Sequence, residues 1–193
     1  YNNFKENESS IIMDHLEGVV VLKNIANLDF CKKIIDLTNE KAKDKLEIKT
    51  GLATSERDVK GYCLNFNTPT NMFYWNYIKA EIERWYSLYK SKFPKLSSHK
   101  INQIDLLKYD VGGKYVIHTD HHTYTPRTLS VIINLNDEYE GGDLVFTDQK
   151  EQEIKRLQLE KGTIVFFPSN FMYPHSIEPI TKGTRYSIVA WLQ

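Results

Sequence analysis

The stretch KYVIHTDHH, Lys114 to His122, puts three histidines and an aspartate into five consecutive positions of a chain with six histidines in all. Imidazoles and a carboxylate this close together are the material of a metal site, and the local backbone decides which of them can converge. His118 and His122 are four apart and would align on a helix. Tyr115, Val116, Ile117 and Thr119 instead favour an extended chain. On a strand, residues i and i+2 share a face, so His118 and Asp120 converge while Thr119 points away. His121 and His122 then fall in the polar run DHHTYTP, where solvated histidines are the ordinary case.

A His-x-Asp pair alone is a weak signal, since a strand end beside a turn-forming Asp looks the same. It gains weight from His175 in YPHS, 55 residues beyond Asp120 and between two β-rich runs. Two imidazoles and one carboxylate make a facial triad, which suits non-haem Fe(II) and leaves coordination positions open. Zinc more often takes Cys or a third His in a closed site. His15 and His99 lie outside these motifs and receive no role.

The last β-rich run, KGTRYSIVAWL, supplies a second chemical feature. Alternation places Arg185, Ser187, Val189 and Trp191 on one face and Tyr186, Ile188, Ala190 and Leu192 on the other. An arginine on a mostly apolar or small-residue face is expensive to bury unless it meets an anion. It reads either as an edge ion pair or as a bidentate clamp for a carboxylate near the metal.

These groups need a scaffold. The 193 residues suffice for one domain with a substantial core, and the 25 basic and 25 acidic residues leave no net charge to favour nucleic acid. Apolar runs such as GVVVL and TIVFF are strand-sized, well short of the roughly 18 residues of a membrane span. Cys31 and Cys63 form no CxxC pattern; one disulfide is open to them, but a reduced, intracellular (cytoplasmic) protein is the preferred reading. No charged-then-apolar leader opens the chain, and its start at Tyr1 rather than Met leaves room for residues upstream. Richness in Asn, Lys and Ile hints at an AT-rich genome, microbial or viral. Nothing in the sequence sets the oligomeric state.

Residues 1–15 read as a polar arm and 16–24 as a strand. Asn27 is placed to cap a helix over 28–43 with Leu28, Cys31, Ile34 and Ile35 on its buried stripe. Residues 44–60 read as a strand end and a mobile loop. A longer helix over 70–91 carries a seam of Trp75, Ile78, Ile82, Trp85 and Tyr89, read as packing rather than as an aromatic ligand box, and ends at Phe93–Pro94. Strand-like runs follow at 101–109, 113–118, 127–135, 143–147, 163–167 and 184–192, separated by turns such as DVGG and EGGD. The expected architecture is mainly β (α+β): one domain over 1–193, with an arm, a strand and supporting helices in 1–100 and a β core in 101–193.

Taken together, YDVGGKYVIHTDHH, RTLSVIINLNDEYEGGDLVF, KGTIVFFPS and HSIEPITKGTRYSIVAWL resemble, in order, the prolyl 4-hydroxylase-like branch of the Fe(II)- and 2-oxoglutarate-dependent dioxygenases. The resemblance spans about residues 100–192. It implies a double-stranded β-helix, a cupin-like jelly roll, with His118, Asp120 and His175 on Fe(II) and Arg185 on the distal carboxylate of 2-oxoglutarate. Tyr109 matches a tyrosine that hydrogen-bonds the cosubstrate; a barrel-interior tyrosine is the alternative. Asn134 stands where relatives often carry a Tyr that helps at the same carboxylate. Arg127 and Trp191 match substrate-contacting positions, with a strand-start ion pair and a core aromatic as their plainer readings. Arg57 is a weaker substrate candidate, in a segment that matches a mobile loop closing over the peptide.

By this likeness the reaction hydroxylates a prolyl residue of a protein or peptide while 2-oxoglutarate and O2 become succinate and CO2, with ascorbate as an optional reductant. Free proline or another amino-acid side chain is the runner-up substrate. A non-catalytic cupin-like binding module is the rival of a different class; it would have no need of the triad and Arg185 together.

Overall fold

A computed structural model of the chain describes residues 16–45, 56–97 and 100–193. The N-terminal arm, most of the expected loop at 46–55, and His15 and His99 lie outside the described residues. The elements run β1 (Val20–Leu22), α1 (Leu28–Lys41), β2 (Arg57–Asp58), β3 (Lys60–Cys63), α2 (Pro69–Lys92), β4 (Ile101–Tyr109) and β5 (Lys114–His118). They continue with β6 (Leu129–Asn134), β7 (Tyr139–Gly141), β8 (Leu144–Thr147), β9 (Glu153–Leu157), β10 (Ile164–Pro168), β11 (His175–Ile177), β12 (Ile180–Gly183) and β13 (Arg185–Leu192).

The strands form a six-stranded antiparallel sheet in the order β1-β10-β6-β13-β4-β3 and a five-stranded one in the order β2-β5-β11-β8-β9; β7 and β12 pair separately. The crossing order, with β6 flanked by β10 and β13, is that of a double-stranded β-helix. The expected strands at 101–109 and 184–192 agree with β4 and β13 to within one residue. The segment read as loop up to residue 60 instead contains β2 and the start of β3 at its end. These strands add an edge to each sheet, and β2 pairs with β5 beside the histidines.

Both helices pack on one face of the six-stranded sheet. Asn27 caps α1, its side-chain oxygen accepting from the Asp29 amide at 2.7 Å. The buried stripe of α1 is Phe30, Cys31, Ile34, Leu37 and Thr38, while Leu28 is 66% exposed. The expected stripe was off by the first turn, where Leu28 precedes the residues that reach the sheet. α2 starts at Pro69 behind the Thr68 cap and buries Trp75, Ile78, Ile82 and Tyr89 as expected. Tyr86 also goes in, and Trp85 stays half-buried with its indole donating to Glu81 at 3.1 Å.

Those helix residues meet Ile104, Leu106, Val131, Ile133, Phe166 and Ile188. A second cluster, including Leu107, Ile132, Phe146, Val165 and Phe167, fills the space between the two sheets. The six-stranded sheet is therefore buried on both faces. This explains why Val131–Ile133 and Ile164–Phe167 read as unbroken apolar runs rather than alternating ones. Cys31 is buried and Cys63 exposed, and no disulfide joins them.

Candidate metal and cosubstrate site

His118 ends β5 and His175 begins β11, and the antiparallel register sets them directly opposite each other. Cross-strand neighbours of this kind bring their side chains together, and the imidazole centroids lie 4.3 Å apart. Asp120, two residues past His118, turns back between them: its Oδ1 is 3.4 Å from His118 Nε2 and its Oδ2 3.7 Å from His175 Nε2. The three ligand atoms lie within 4.8 Å of one another, the one such cluster of three among the described residues. His121 and His122 are exposed and outside it.

The surroundings orient each group. His118 Nδ1 lies 2.8 Å from the Val116 carbonyl and His175 Nδ1 3.1 Å from that of Tyr173. A carbonyl only accepts, so each Nδ1 carries the proton and each Nε2 turns a lone pair to the shared space. Burial, with His118 close by, holds His175 down to about 4, which keeps it a neutral donor. Burial disfavours charge on Asp120, yet His175, His118 and the Ser130 hydroxyl hold its carboxyl below the usual carboxylate range. Ser130 donates to Asp120 Oδ2 at 2.6 Å and lies 2.7 Å from the Ser169 hydroxyl.

The same cavity contains Tyr109, Arg185, Ser187 and Trp191 from the six-stranded sheet, and Arg57 and Tyr115 from the other. Arg185 is 1% exposed. Its Nε donates to Asn134 Oδ1 at 3.2 Å, and its guanidinium carbon lies 5.3 Å from the ring centroid of Tyr109, its cross-strand neighbour. No carboxylate pairs with it among the described residues, and Nη2 is buried without a partner. Ser187 Oγ and Trp191 Nε1 are buried and unpartnered too. A buried, unpaired guanidinium is costly, so this end of the cavity is built for an anion. A carboxylate fits it. Gly142, at φ +68°, clears space alongside: a Cβ there would collide with Ile180 and press on Arg185 Cδ at 3.2 Å.

Asn134 does not line the cavity. Its amide nitrogen donates to the carbonyls of Asn136 and Leu159 at 2.6 and 2.9 Å, and its oxygen faces Arg185. It steadies the arginine rather than presenting a free donor. Arg127 is likewise absent from the lining: its guanidinium stacks 3.5 Å from the Trp191 ring centroid and donates to Gln103 at 3.0 Å and to the Asp120 carbonyl at 3.3 Å.

Two features escape a reading of the sequence. Tyr115 is three residues before His118, an odd spacing that strict alternation puts on opposite faces. The pairing of β5 with β11 steps from His175↔His118 to Ile177↔Tyr115, so the four residues 115–118 oppose the three residues 175–177. This irregularity turns both side chains inward, and their rings stack at 3.5 Å. The other is Ser130, which in sequence is one more small residue in a strand.

Residues 104–193 match the model of the 2OG-Fe(II) oxygenase superfamily. A PKHD-type hydroxylase of Prochlorococcus marinus is 36% identical over 98 residues, 49% of this chain and 42% of that one. Human prolyl 3-hydroxylase 2 is 30% identical over 69 residues, 35% of this chain and 10% of that one. The chain spans about half the length or less of the cyanobacterial relatives it matches, 42% and 52% for two of them. A Pseudomonas putida prolyl-4-hydroxylase structure superposes with TM-score 0.74 at 15% identity, covering 91% of this chain and 92% of that one. A Trichoplax adhaerens prolyl hydroxylase, solved with a hypoxia inducible factor peptide, gives TM-score 0.74 at 14% identity over 91% and 83%. At such identities the structures speak for the fold, a double-stranded β-helix. Fe(II), 2-oxoglutarate and O2 are the cofactor and cosubstrates of the superfamily, and the donor set and the anion-ready arginine fit the first two. Through its region 104–193, the chain is similar to the 2OG-Fe(II) oxygenase superfamily, and its fold is that of the prolyl hydroxylase structures.

Proposed function

We propose that the protein is an Fe(II)- and 2-oxoglutarate-dependent dioxygenase that hydroxylates a prolyl residue of a protein or peptide. The observation that carries this is the joining, in one cavity, of the His118–Asp120–His175 cluster with the unpaired Arg185 guanidinium. His118, Asp120 and His175 would hold the metal through their two imidazoles and a carboxylate oxygen. Bound iron supplies the oxidation, in which 2-oxoglutarate and O2 give succinate and CO2 and a substrate C–H becomes C–OH.

The chain's own residues bind and orient. Arg185 takes the distal carboxylate of 2-oxoglutarate by a charge-assisted pair, with Asn134 fixing the guanidinium and Tyr109 beside it. Ser187, with a free buried hydroxyl on the next inward position, is within the same lining. The face of Trp191, braced by Arg127, and the Tyr115 ring beside His118 offer apolar surface for a pyrrolidine ring. Apolar Leu107, Ile132 and Val189 exclude water from the reacting centre. The prolyl reading is supported by the named activities of the relatives and fold neighbours.

The test is succinate release from 2-oxoglutarate with Fe(II) and ascorbate, coupled to mass spectrometry of a prolyl peptide library. The expected result is Fe(II)-dependent succinate, abolished in His175→Ala, and one added oxygen on proline. Succinate formation that survives His175→Ala would remove the ligand assignment. Oxygen confined to other residues or to free proline would remove the peptidyl-prolyl claim. Metal and 2-oxoglutarate binding without any turnover would favour the cupin-like binding module.

A further inference from the structure

The cavity contains a second cation besides Arg185. Arg57 sits on β2, paired with Tyr115 of β5, and its guanidinium carbon lies 4.8 Å from the Tyr115 ring centroid. Acidic residues flank it in sequence, Glu56 and Asp58, but among the described residues neither pairs with it. Asp58 bonds Lys45 at 2.8 Å instead. Strand alternation turns Arg57 inward and its acidic neighbours away. Its Nε is buried without a partner and its side chain lines the cavity, while the residue as a whole remains partly exposed.

The charges facing the cavity are therefore Arg57, Arg185 and Asp120, with Arg127 beside it. Asp120 is turned to the two imidazoles, and Arg127 is held by Gln103, which itself bonds Asp105 at 2.9 Å. Arg185 lies at the sealed end and is taken by the cosubstrate. Arg57 is left, partly open to solvent and beside the ring stacked on a metal-binding imidazole. A guanidinium with unused N–H groups at that place selects for an anion.

We propose that Arg57 receives a carboxylate of the substrate itself, so that the preferred substrate carries an acidic group next to the carbon that reacts. This rests on the dioxygenase reading above. The carboxylate has two chemical sources: an acidic side chain adjoining the target proline in a peptide, or the main-chain carboxylate of a free amino acid.

The experiment measures probe binding by ligand-observed NMR to protein loaded with Zn(II) and 2-oxoglutarate, where no turnover occurs. The probes are acetyl-Glu-Pro-amide and acetyl-Pro-Glu-amide against their Gln counterparts, and L-proline against L-prolinamide. In the wild type, the acidic member of at least one pair binds about 10- to 100-fold tighter than its neutral partner. Which pair does so identifies the source. Arg57→Gln collapses that ratio to near one, and Arg57→Lys restores part of it. If Arg57 served only to pack on Tyr115, R57Q would weaken acidic and neutral probes alike and leave the ratio intact, which would overturn the proposal.

Equal or absent binding of all the acidic probes in the wild type overturns it as well. So does a fall in 2-oxoglutarate affinity in R57Q as large as that of the acidic probe, because Arg57 would then belong to the cosubstrate. Wild-type protein that fails to bind 2-oxoglutarate at all sinks the dioxygenase reading, and this proposal with it.

Discussion

The two faces of β13 are made from alternate residues of one strand and do opposite jobs. Ile188, Ala190 and Leu192 point to the helices and join the apolar cluster beneath them. Arg185, Ser187 and Trp191 point to the cavity, and each carries a buried polar atom without a partner. One face gains free energy by packing, at roughly 1.5–3 kcal/mol for each fully buried large apolar side chain. The other retains unmet hydrogen-bonding capacity that only a ligand can satisfy, at a cost to the empty protein. Stability and binding are separated here by a half-turn of the strand.

That separation can be broken by substitution. Ile188→Ala should cost about 2–5 kcal/mol in denaturant unfolding and leave the 2-oxoglutarate dissociation constant of the folded protein unchanged; a large change in that constant would show that the two faces are coupled. Arg185→Met should do the reverse. It removes an unpaired buried charge, so the melting temperature should hold or rise, while 2-oxoglutarate affinity, read by calorimetry on Zn(II)-loaded protein, falls about 10- to 100-fold. A marked loss of stability in this variant would mean that the guanidinium is satisfied by the protein alone. Ser130→Ala, on β6 alongside, should lower metal affinity about 10- to 100-fold by freeing Asp120 Oδ2, with little change in 2-oxoglutarate binding once metal is saturating. The smallest effect is expected far from the cavity: Asn27→Ala should cost about 1 kcal/mol of stability through the lost α1 cap, with metal affinity untouched.

How much of this was legible beforehand differs by residue. His118 and Asp120 follow from local β propensity and a period of two, and β4 and β13 came out with nearly correct ends because their alternation is long and regular. The strands β7, β9, β11 and β12 do not stand out, since YEG, EIKRL, HSI and ITKG lack the apolar run that marks the equally short β8 and β10. Leu28 was placed on the wrong side because a helix stripe leaves the first turn ambiguous until the sheet beneath it is known. Tyr115 was missed for a sharper reason: the irregular pairing opposite β11 breaks the alternation on which face assignments depend. Asn134 is expected at the cosubstrate, but two contacts distant in sequence, Leu159 and Arg185, and the nearer Tyr139 already occupy its amide.

The sequence by itself determined the local matters: which residue types are present for metal chemistry, which neighbours share a strand face, where the two helices begin and end, and that an arginine stands on an inward face. These depend on propensity and period, and both act over a few residues. Only the tertiary structure decided which distant groups meet. It set His175 opposite His118 through strand register, left Arg185 without an acid among the described residues, bent Tyr115 inward, and brought Arg57 from a segment read as loop to the cavity. The physical reason is that register, bulges and burial are settled by packing between segments far apart in the chain, and no local pattern encodes which polar atom will be left waiting for a partner.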